Sequence, residues 1–443
     1  MPKGFVSPLS IAYRPVSSLK PHPNNSRTHS KKQLKLIAKS IQTLSFLNPA
    51  LIDQNGIIIA GHGRVEAAKL LGMDQVPTIC LEHLTPDQIR AYILADNKLA
   101  ELGGWDREIL AIELQHLLTL EDVFDVSVTG FEVPEIDLIL EESKRTPDPG
   151  DDFSADEQGP SVTQPGDGWS LGNHKLLCGN ALKDESYFTL MGKRRASAVF
   201  SDPPYNVRIN GHAGGNGAIQ HREFAMASGE MTELEFMSFL STVFSLFCRY
   251  SSDGSVHYVC MDWRHLYEVL GAGRQAYDLP LNLCVWRKNA AGMGSFYRSQ
   301  HELIFVFRNG SSQHRNNVQL GKFGRNRSNI WEYPGVQTQS RQSDEGNLLA
   351  LHPTVKPIAL VADALLDCTA RGEIVLDGFL GSGTTLMAAE RVGRICYGIE
   401  IDPLYVDTAV RRWQRHTGDH AIHVGSGKRF AEVASESLES ARG

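Results

Sequence analysis

A chain of 443 residues is too long for one ordinary hydrophobic core and predicts about two or three domains, with two as the working count. Hydrophobic residues make up 42% and charged residues 21%, the balance of a soluble globular protein, and no apolar run is long enough to span a bilayer. A net charge of −7 argues against a generally basic nucleic-acid binder, so any nucleic-acid surface has to be a local one.

The first ten residues lack the basic head, apolar stretch and cleavage site of a secretory signal, which predicts a cytoplasmic, nucleoid-associated protein. Seven scattered cysteines never fall as Cys-x-x-Cys, and the histidines form no ligand-spaced cluster. Neither a disulfide framework nor a metal is expected.

In chain order, Lys31 to Leu44 has helical spacing, and Ala50-Leu-Ile and Gly56-Ile-Ile-Ile-Ala read as short strands. Gly61-His-Gly-Arg64 opens an alanine-rich helix that ends at Leu71-Gly72, before the strand-like Val76-Pro-Thr-Ile. Residues 1–85 therefore form a small α+β domain. The run Ile57-Ile-Ile-Ala-Gly61-His-Gly-Arg64-Val-Glu-Ala-Ala, with Leu71-Gly and Val76-Pro, resembles the ParB-like N-terminal domain. That resemblance implies a nucleotide or DNA site at Gly61 and Arg64, since a helix start with an arginine supplies an anion site. A purely architectural role for Arg64 stands beside it. Ala95-Asp-Asn97-Lys98 only partly matches the second nucleotide motif of that family, which leaves hydrolysis open, and the turn has no cysteine for sulfiredoxin chemistry. Residues 86–142 read as a helical extension broken at Gly103-Gly104, and 143–167, rich in proline, glycine and acid, as a flexible linker.

From 168 to 425, apolar strands alternate with amphipathic helices. The strands lie near His174–Cys178, Ser197–Ser201, Ser255–Met261, Pro280–Arg287, His301–Phe307, Glu373–Leu376 and Arg394–Ile401. The helices lie at Thr232–Tyr250, Arg264–Leu270, Ile358–Cys368, Thr384–Val392 and Leu404–His416. This alternation predicts a doubly wound, Rossmann-like α/β domain with ligands beyond the carboxyl ends of its strands. Residues 426–443 read as a disordered tail.

Three motifs carry the chemistry. The strand ending at Ser201 runs into Asp202-Pro203-Pro204-Tyr205. An exocyclic amino group is a poor nucleophile because its lone pair is delocalised into the base. The Asp202 carboxylate and the Pro203 carbonyl could accept its two hydrogens and localise that lone pair. Pro204 with Pro203 stiffens the turn, and Tyr205 could stack on a base swung out of the duplex. A proline-stiffened turn with no catalytic role is the alternative. The second motif is the strand and glycine loop Ile374-Val-Leu-Asp377-Gly-Phe379-Leu-Gly381-Ser-Gly383-Thr384-Thr, followed one strand later by Glu400, an acid placed to grip ribose hydroxyls. Its spacing suits any adenosine-containing cofactor. The third is His352-Pro-Thr-Val-Lys356-Pro, where Lys356 is either a partner for a cofactor carboxylate or a solvated lysine.

In this order the three motifs resemble the beta group of DNA amino-methyltransferases, over roughly Trp169 to His416. The resemblance implies S-adenosyl-L-methionine as cofactor, base flipping, Phe379 packed on the methionine part, and the turn at Gly179-Asn180 against the cofactor adenine. Asn180 stands where the family often has aspartate, and Gly378 where it often has proline. Aspartate at the head of the catalytic motif favours adenine N6 over cytosine N4.

Val207 to Met231, with its several glycines, is expected to form a mobile flap over DNA. The segment 308–350 takes the place of the family's target-recognition segment, and Arg308, Arg315, Lys322, Arg325 and Arg327 are its candidate DNA contacts. Candidate partners are double-stranded DNA, a nucleotide on the first domain and a second copy of the chain; a membrane is not among them. A ParB-like DNA-binding or regulatory protein with an inactive methylase domain is the rival reading, and RNA or a protein amide the rival acceptor. No nuclease segment is recognisable, which suggests a solitary enzyme, carried by a phage or mobile element, rather than half of a restriction pair.

Overall fold

The computed structural model describes residues 9–120, 125–143, 161–207, 227, 229–289, 291, 296–319, 325–333 and 356–440. Two units divide the chain between Ser143 and Lys144.

In the first unit, the Ser30 side chain accepts the Gln33 N–H and starts α1 (Lys31–Leu44). Five strands, β1 (Ile11–Pro15), β2 (Lys20–Pro21), β3 (Ala50–Ile52), β4 (Ile57–Ala60) and β5 (Gln75–Cys80), make a mixed sheet in the order β1-β5-β3-β4-β2. Gly61, at φ +96, turns the chain from β4 into α2 (His62–Leu70), a conformation that glycine adopts without strain. Val16, Leu19, Ile52, Ile58, Val65 and Val76 fill the core. A capping box between Thr85 and Gln88 begins α3 (Pro86–Glu101). The Asp106 carboxylate caps α4 (Arg107–Leu118), which packs on α5 (Val133–Ser143) through Leu110, Leu114, Ile136, Ile139 and Leu140.

In the second unit, ten strands among the described residues form one sheet in the order β12-β10-β11-β9-β8-β13-β14-β7-β6-β15. Their bounds are β6 (Gly168–Leu171), β7 (His174–Cys178), β8 (Ala196–Ser201), β9 (Ser251–Met261), β10 (Leu279–Arg287), β11 (His301–Arg308), β12 (Ile330–Glu332), β13 (Ile374–Asp377), β14 (Ile395–Glu400) and β15 (Ile422–His423). The central five, β9, β8, β13, β14 and β7, are parallel, and antiparallel pairs extend both sides. Alternate residues of each strand enter opposite cores. Phe200, Ile304, Val306 and Val375 pack with α9 (Ile358–Cys368), α10 (Thr384–Val392) and α11 (Pro403–Thr417). Val199, Leu303, Phe305 and Leu376 pack with α6 (Asp184–Met191), α7 (Glu233–Arg249) and α8 (Leu266–Ala276). Helices therefore cover both faces, as a parallel sheet buried on each side requires.

Two segments differ from expectation. Residues 161–167, expected to belong to the linker, are instead held by the second unit. The buried Asp407 carboxylate accepts the Val162 N–H at 2.7 Å, the Thr163 N–H at 3.1 Å and the Thr163 hydroxyl at 2.5 Å. The tail expected to be disordered contains α12 (Phe430–Ser440), whose Phe430 and Val433 join the sheet core. Both are anchored by contacts distant in sequence, which local composition does not register.

Candidate active site

The strand order turns back on itself between β8 and β13. The chain leaves β8 for β9 on one side and β13 for β14 on the other, so a crevice opens beyond their carboxyl ends. The Asp202 turn emerges from β8 and the glycine loop from β13. A direct bond ties them: the Ser201 hydroxyl donates to Asp377 Oδ1 at 3.1 Å.

Asp377 lies beneath the loop, 3% exposed. Its Oδ1 also accepts the Phe379 N–H at 3.0 Å, and its Oδ2 accepts the Thr385 hydroxyl at 2.7 Å. Burial pushes its carboxyl up to about 6 against these three donors. Asp377, an expected cofactor residue, braces the loop against β8, and Ser201 and Thr385, which the motif reading passes over, complete the brace. Gly378 stands against the Phe247 ring, where an added Cβ would come within 2.8 Å, so a proline at this position would crowd that ring. Gly383, at φ +90, begins α10, and Thr384 is buried in its first turn. Gly381 donates its N–H to Glu400 Oε2 at 2.8 Å, and Asp402 donates its own to Oε1 at 2.8 Å. Burial raises Glu400 to about 7, more than these donors lower it. The Gly179 N–H reaches the Glu400 carbonyl, which brings Asn180 to the same end of the sheet; its side-chain oxygen accepts the Leu182 N–H and closes that turn. Phe379 packs on Phe239 with ring centroids 5.9 Å apart.

Around Asp202 the charges are dense. Lys356 Nζ lies 2.6 Å from Asp202 Oδ2 and 3.0 Å from Glu302 Oε2, and it donates to the Tyr205 hydroxyl at 3.2 Å. The Tyr205 hydroxyl donates to Asp202 Oδ1 at 2.6 Å. Burial raises the Asp202 carboxyl and nearby Glu302 adds to the rise, while the Lys356 ammonium opposes both. Burial disfavours the Lys356 ammonium, yet the two carboxylates overrule it and hold its pKa above the ordinary lysine value. Lys356, expected either to pair with a cofactor carboxylate or to be solvated, is buried and pairs with Asp202 and Glu302. Pro203 is buried and Pro204 half-buried, fixing the turn between these groups.

The basic segment divides. Arg325, 5% exposed, donates to Asp367 at 2.7 Å and Asp363 at 3.1 Å. Arg327 reaches Asp367 at 2.8 Å and lies over the Trp331 ring. These two arginines clamp the segment to α9, which corrects their expected role as DNA contacts. Arg308 donates to the Gly310 carbonyl and Arg315 pairs with Glu373 at 2.8 Å with half its side chain exposed. Lys322, His352 and most of the expected flap lie outside the described residues. Where that flap begins and ends, the Asn206 side chain ties its two roots, accepting N–H groups from Gly229 and Met231 and donating to the Met231 carbonyl. In the first unit, Arg64 reaches the Pro49 carbonyl at 3.4 Å, while its buried Nε has no hydrogen-bond partner among the described residues. Asp96 and Tyr92 of α3 face it.

An acidic-diproline-aromatic turn and a glycine loop, joined across adjacent strands of a doubly wound sheet, define a methyltransferase domain. The family description "DNA methylase" for N6/N4 enzymes matches residues 196–411, that of the ParB N-terminal domain residues 8–97, and that of the ParB-methyltransferase helix-turn-helix domain residues 108–165. The chain therefore carries a DNA methylase domain of the N6/N4 type together with a ParB N-terminal domain and a ParB-methyltransferase helix-turn-helix domain, the last of which the sequence shows only as a helical extension. Over 80 residues it is 51% identical to the ParB-like nuclease domain-containing protein YnaK of Escherichia coli K12, covering 18% of this chain and 92% of that one. Type II methyltransferase M.ScaI of Streptomyces caespitosus is 34% identical over 95 residues, 21% of this chain and 31% of that enzyme. Type II methyltransferase M.HpaI of Haemophilus parainfluenzae is 22% identical over 254 residues, 54% of this chain and 74% of that enzyme. Among the described residues no helix is long and apolar enough to cross a membrane, and no group of three His, Cys, Asp or Glu side chains is arranged to hold a metal.

Proposed function

We propose that this chain methylates the N6 amino group of adenine in double-stranded DNA, with the base swung out of the helix and S-adenosyl-L-methionine as donor. The observation that carries the reading is the bond between Ser201 and Asp377, which joins the base of the Asp202 turn to the base of the glycine loop and so supports their acting together. The residues present suit the cofactor. Two backbone donors leave a further lone pair on each Glu400 oxygen, the acceptor capacity a ribose diol needs. Asn180 and Phe379 stand at the same end for the adenine and the methionine part. When bound, the cofactor supplies an electrophilic methyl group on a sulfonium.

The rest of the chemistry belongs to the chain. Asp202 accepts one amino hydrogen and the Pro203 carbonyl the other, which localises the nitrogen lone pair. Asp202 then takes the proton that the methylated amine must lose. Tyr205 stacks on the displaced base, a geometry that a base inside the duplex cannot offer. Aspartate at the head of the turn supports adenine; cytosine N4 is the alternative product. On the first unit, the Arg64 Nε, buried near the N-terminus of α2 and without a hydrogen-bond partner among the described residues, supports a nucleotide-phosphate site.

Incubating the full chain with mixed-sequence DNA and cofactor, then mapping modified bases by long-read sequencing, tests the reading. N6-methyladenine at one sequence motif is expected, and Asp202→Ala should abolish it while cofactor still binds. Full turnover by that variant, or modified cytosine alone, would overturn the assignment.

A further inference from the structure

Glu302 occupies a position that the β11 pattern reserves for apolar side chains. The residues sharing its face, Ile304 and Val306, lie in the core, and Glu302 itself is only 7% exposed. A carboxylate there is strongly disfavoured unless it is matched by charge. It is matched twice: Lys288 Nζ of β10's end lies 2.6 Å from Oε1 and Lys356 Nζ 3.0 Å from Oε2. Burial would raise this carboxyl, but the two ammoniums hold it down at about 2. The Tyr205 hydroxyl also approaches Oε2, at 3.3 Å. Both ammoniums also lie over the Trp286 ring, 4.7 Å from its centroid for Lys288 and 6.0 Å for Lys356. The charges thus alternate through successive contacts, Lys288 to Glu302 to Lys356 to Asp202.

We propose that Glu302 is a positioning residue for methyl transfer: it divides the Lys356 ammonium between two carboxylates, so that Asp202 stays ionised yet able to accept the target amine. This rests on the reading of Asp202 as the amine acceptor. An undivided ammonium on Asp202 Oδ2 would hold its negative charge and weaken it as acceptor and as base. Without any ammonium, Asp202, buried near a second acid, would protonate. Shared pairing places it between these limits. The groups facing Asp202 are Lys356 and Glu302, Tyr205 of its own turn, Cys260 of β9 and Asp377 of β13.

Two substitutions move the balance in opposite directions. Glu302→Gln takes one carboxylate partner from Lys356 and leaves Asp202 in place; the acid limb of the pH profile for single-turnover methylation should shift down by about half a pH unit or more. Its kcat should fall about tenfold, with KM for cofactor and DNA nearly unchanged. Lys288→Gln removes the second cation from Glu302, which then draws Lys356 away from Asp202, and the limb should shift up. Acid limbs that stay still in both variants, or move the same way, overturn the proposal. Should Glu302→Gln fail to fold, the upward shift in Lys288→Gln decides alone. A ¹³C-carboxylate NMR titration of Asp202 in the same proteins reads the opposed shifts without turnover. Opposed NMR shifts in a chain that methylates no DNA would uphold the network while removing the reading of its function.

Discussion

Glu400 makes cofactor binding depend on pH in a direction that can be worked from its surroundings. Its carboxyl, raised by burial from 4.5 to about 7, is neutral below that value and charged above it. A ribose hydroxyl donates best to the charged form, so affinity should rise with pH and level off above 8. With a midpoint near 7, the ionised fraction is about 0.09 at pH 6 and about 0.9 at pH 8, a ratio of about ten in apparent affinity. Folding runs the other way. Because the folded carboxyl has the higher pKa, its contribution to stability is fullest below 4.5 and is lost as pH rises through about 7. That loss is on the order of 3 kcal/mol, and bound ligand should offset it. The assay is titration calorimetry of the full chain with 5′-methylthioadenosine, which keeps the ribose and has no group titrating between pH 6 and 8.5. Glu400→Gln should flatten the pH dependence and weaken binding at pH 8, because one of the Gly381 and Asp402 N–H groups then faces an amide nitrogen. Affinity independent of pH in the natural chain, or pH dependence persisting in the variant, would refute the role of this carboxylate.

Arg325→Ala strips a buried cation from Asp363 and Asp367 and should destabilise the second unit by about 3 kcal/mol, read by denaturant unfolding. The salt dependence of DNA binding by the folded variant should stay as in the parent, whereas loss of a phosphate contact would lower its log–log slope by about one. Arg64→Ala should remove calorimetric binding of nucleoside triphosphate by the full chain. A lowered melting temperature with nucleotide binding intact would make Arg64 architectural instead.

Much of this arrangement was legible in order and spacing. The strands leading into Asp202 and Asp377 are short apolar runs ended by proline and glycine, and Ile358–Cys368 and Thr384–Val392 appear as helices with the bounds expected of them. What escaped depends on partners distant in sequence. Nothing local distinguishes an arginine that points to solvent, as half of Arg315 does, from Arg325, which finds two carboxylates one helical turn apart on α9. Lys356 could be read either as a partner for a cofactor carboxylate or as a solvated lysine, because the carboxylates it meets, Asp202 and Glu302, lie 154 and 54 residues away. Glu302 did leave a signal: a charged residue one step from the run Leu303-Ile-Phe-Val-Phe, in the alternation of a buried strand. Phe430 and Val433, three residues apart, likewise marked the helix hidden in the supposed tail.

The buried acids share one electrostatic cause. Asp202, Glu302, Asp377 and Glu400 converge on one end of the sheet against the ammoniums of Lys288 and Lys356, so carboxylates exceed cations there. Glu302 alone sits between both ammoniums, and it alone is pushed down; the other three are raised, as desolvated acids near like charges must be. Tyr205 packs against the cores on both faces of the sheet while its hydroxyl joins Asp202 and Glu302. The acidic turn therefore cannot relax away from this crowding without disturbing both layers. A site held in that state has an unmet preference for positive charge, which suits a cationic methyl donor better than the neutral thioether left after transfer.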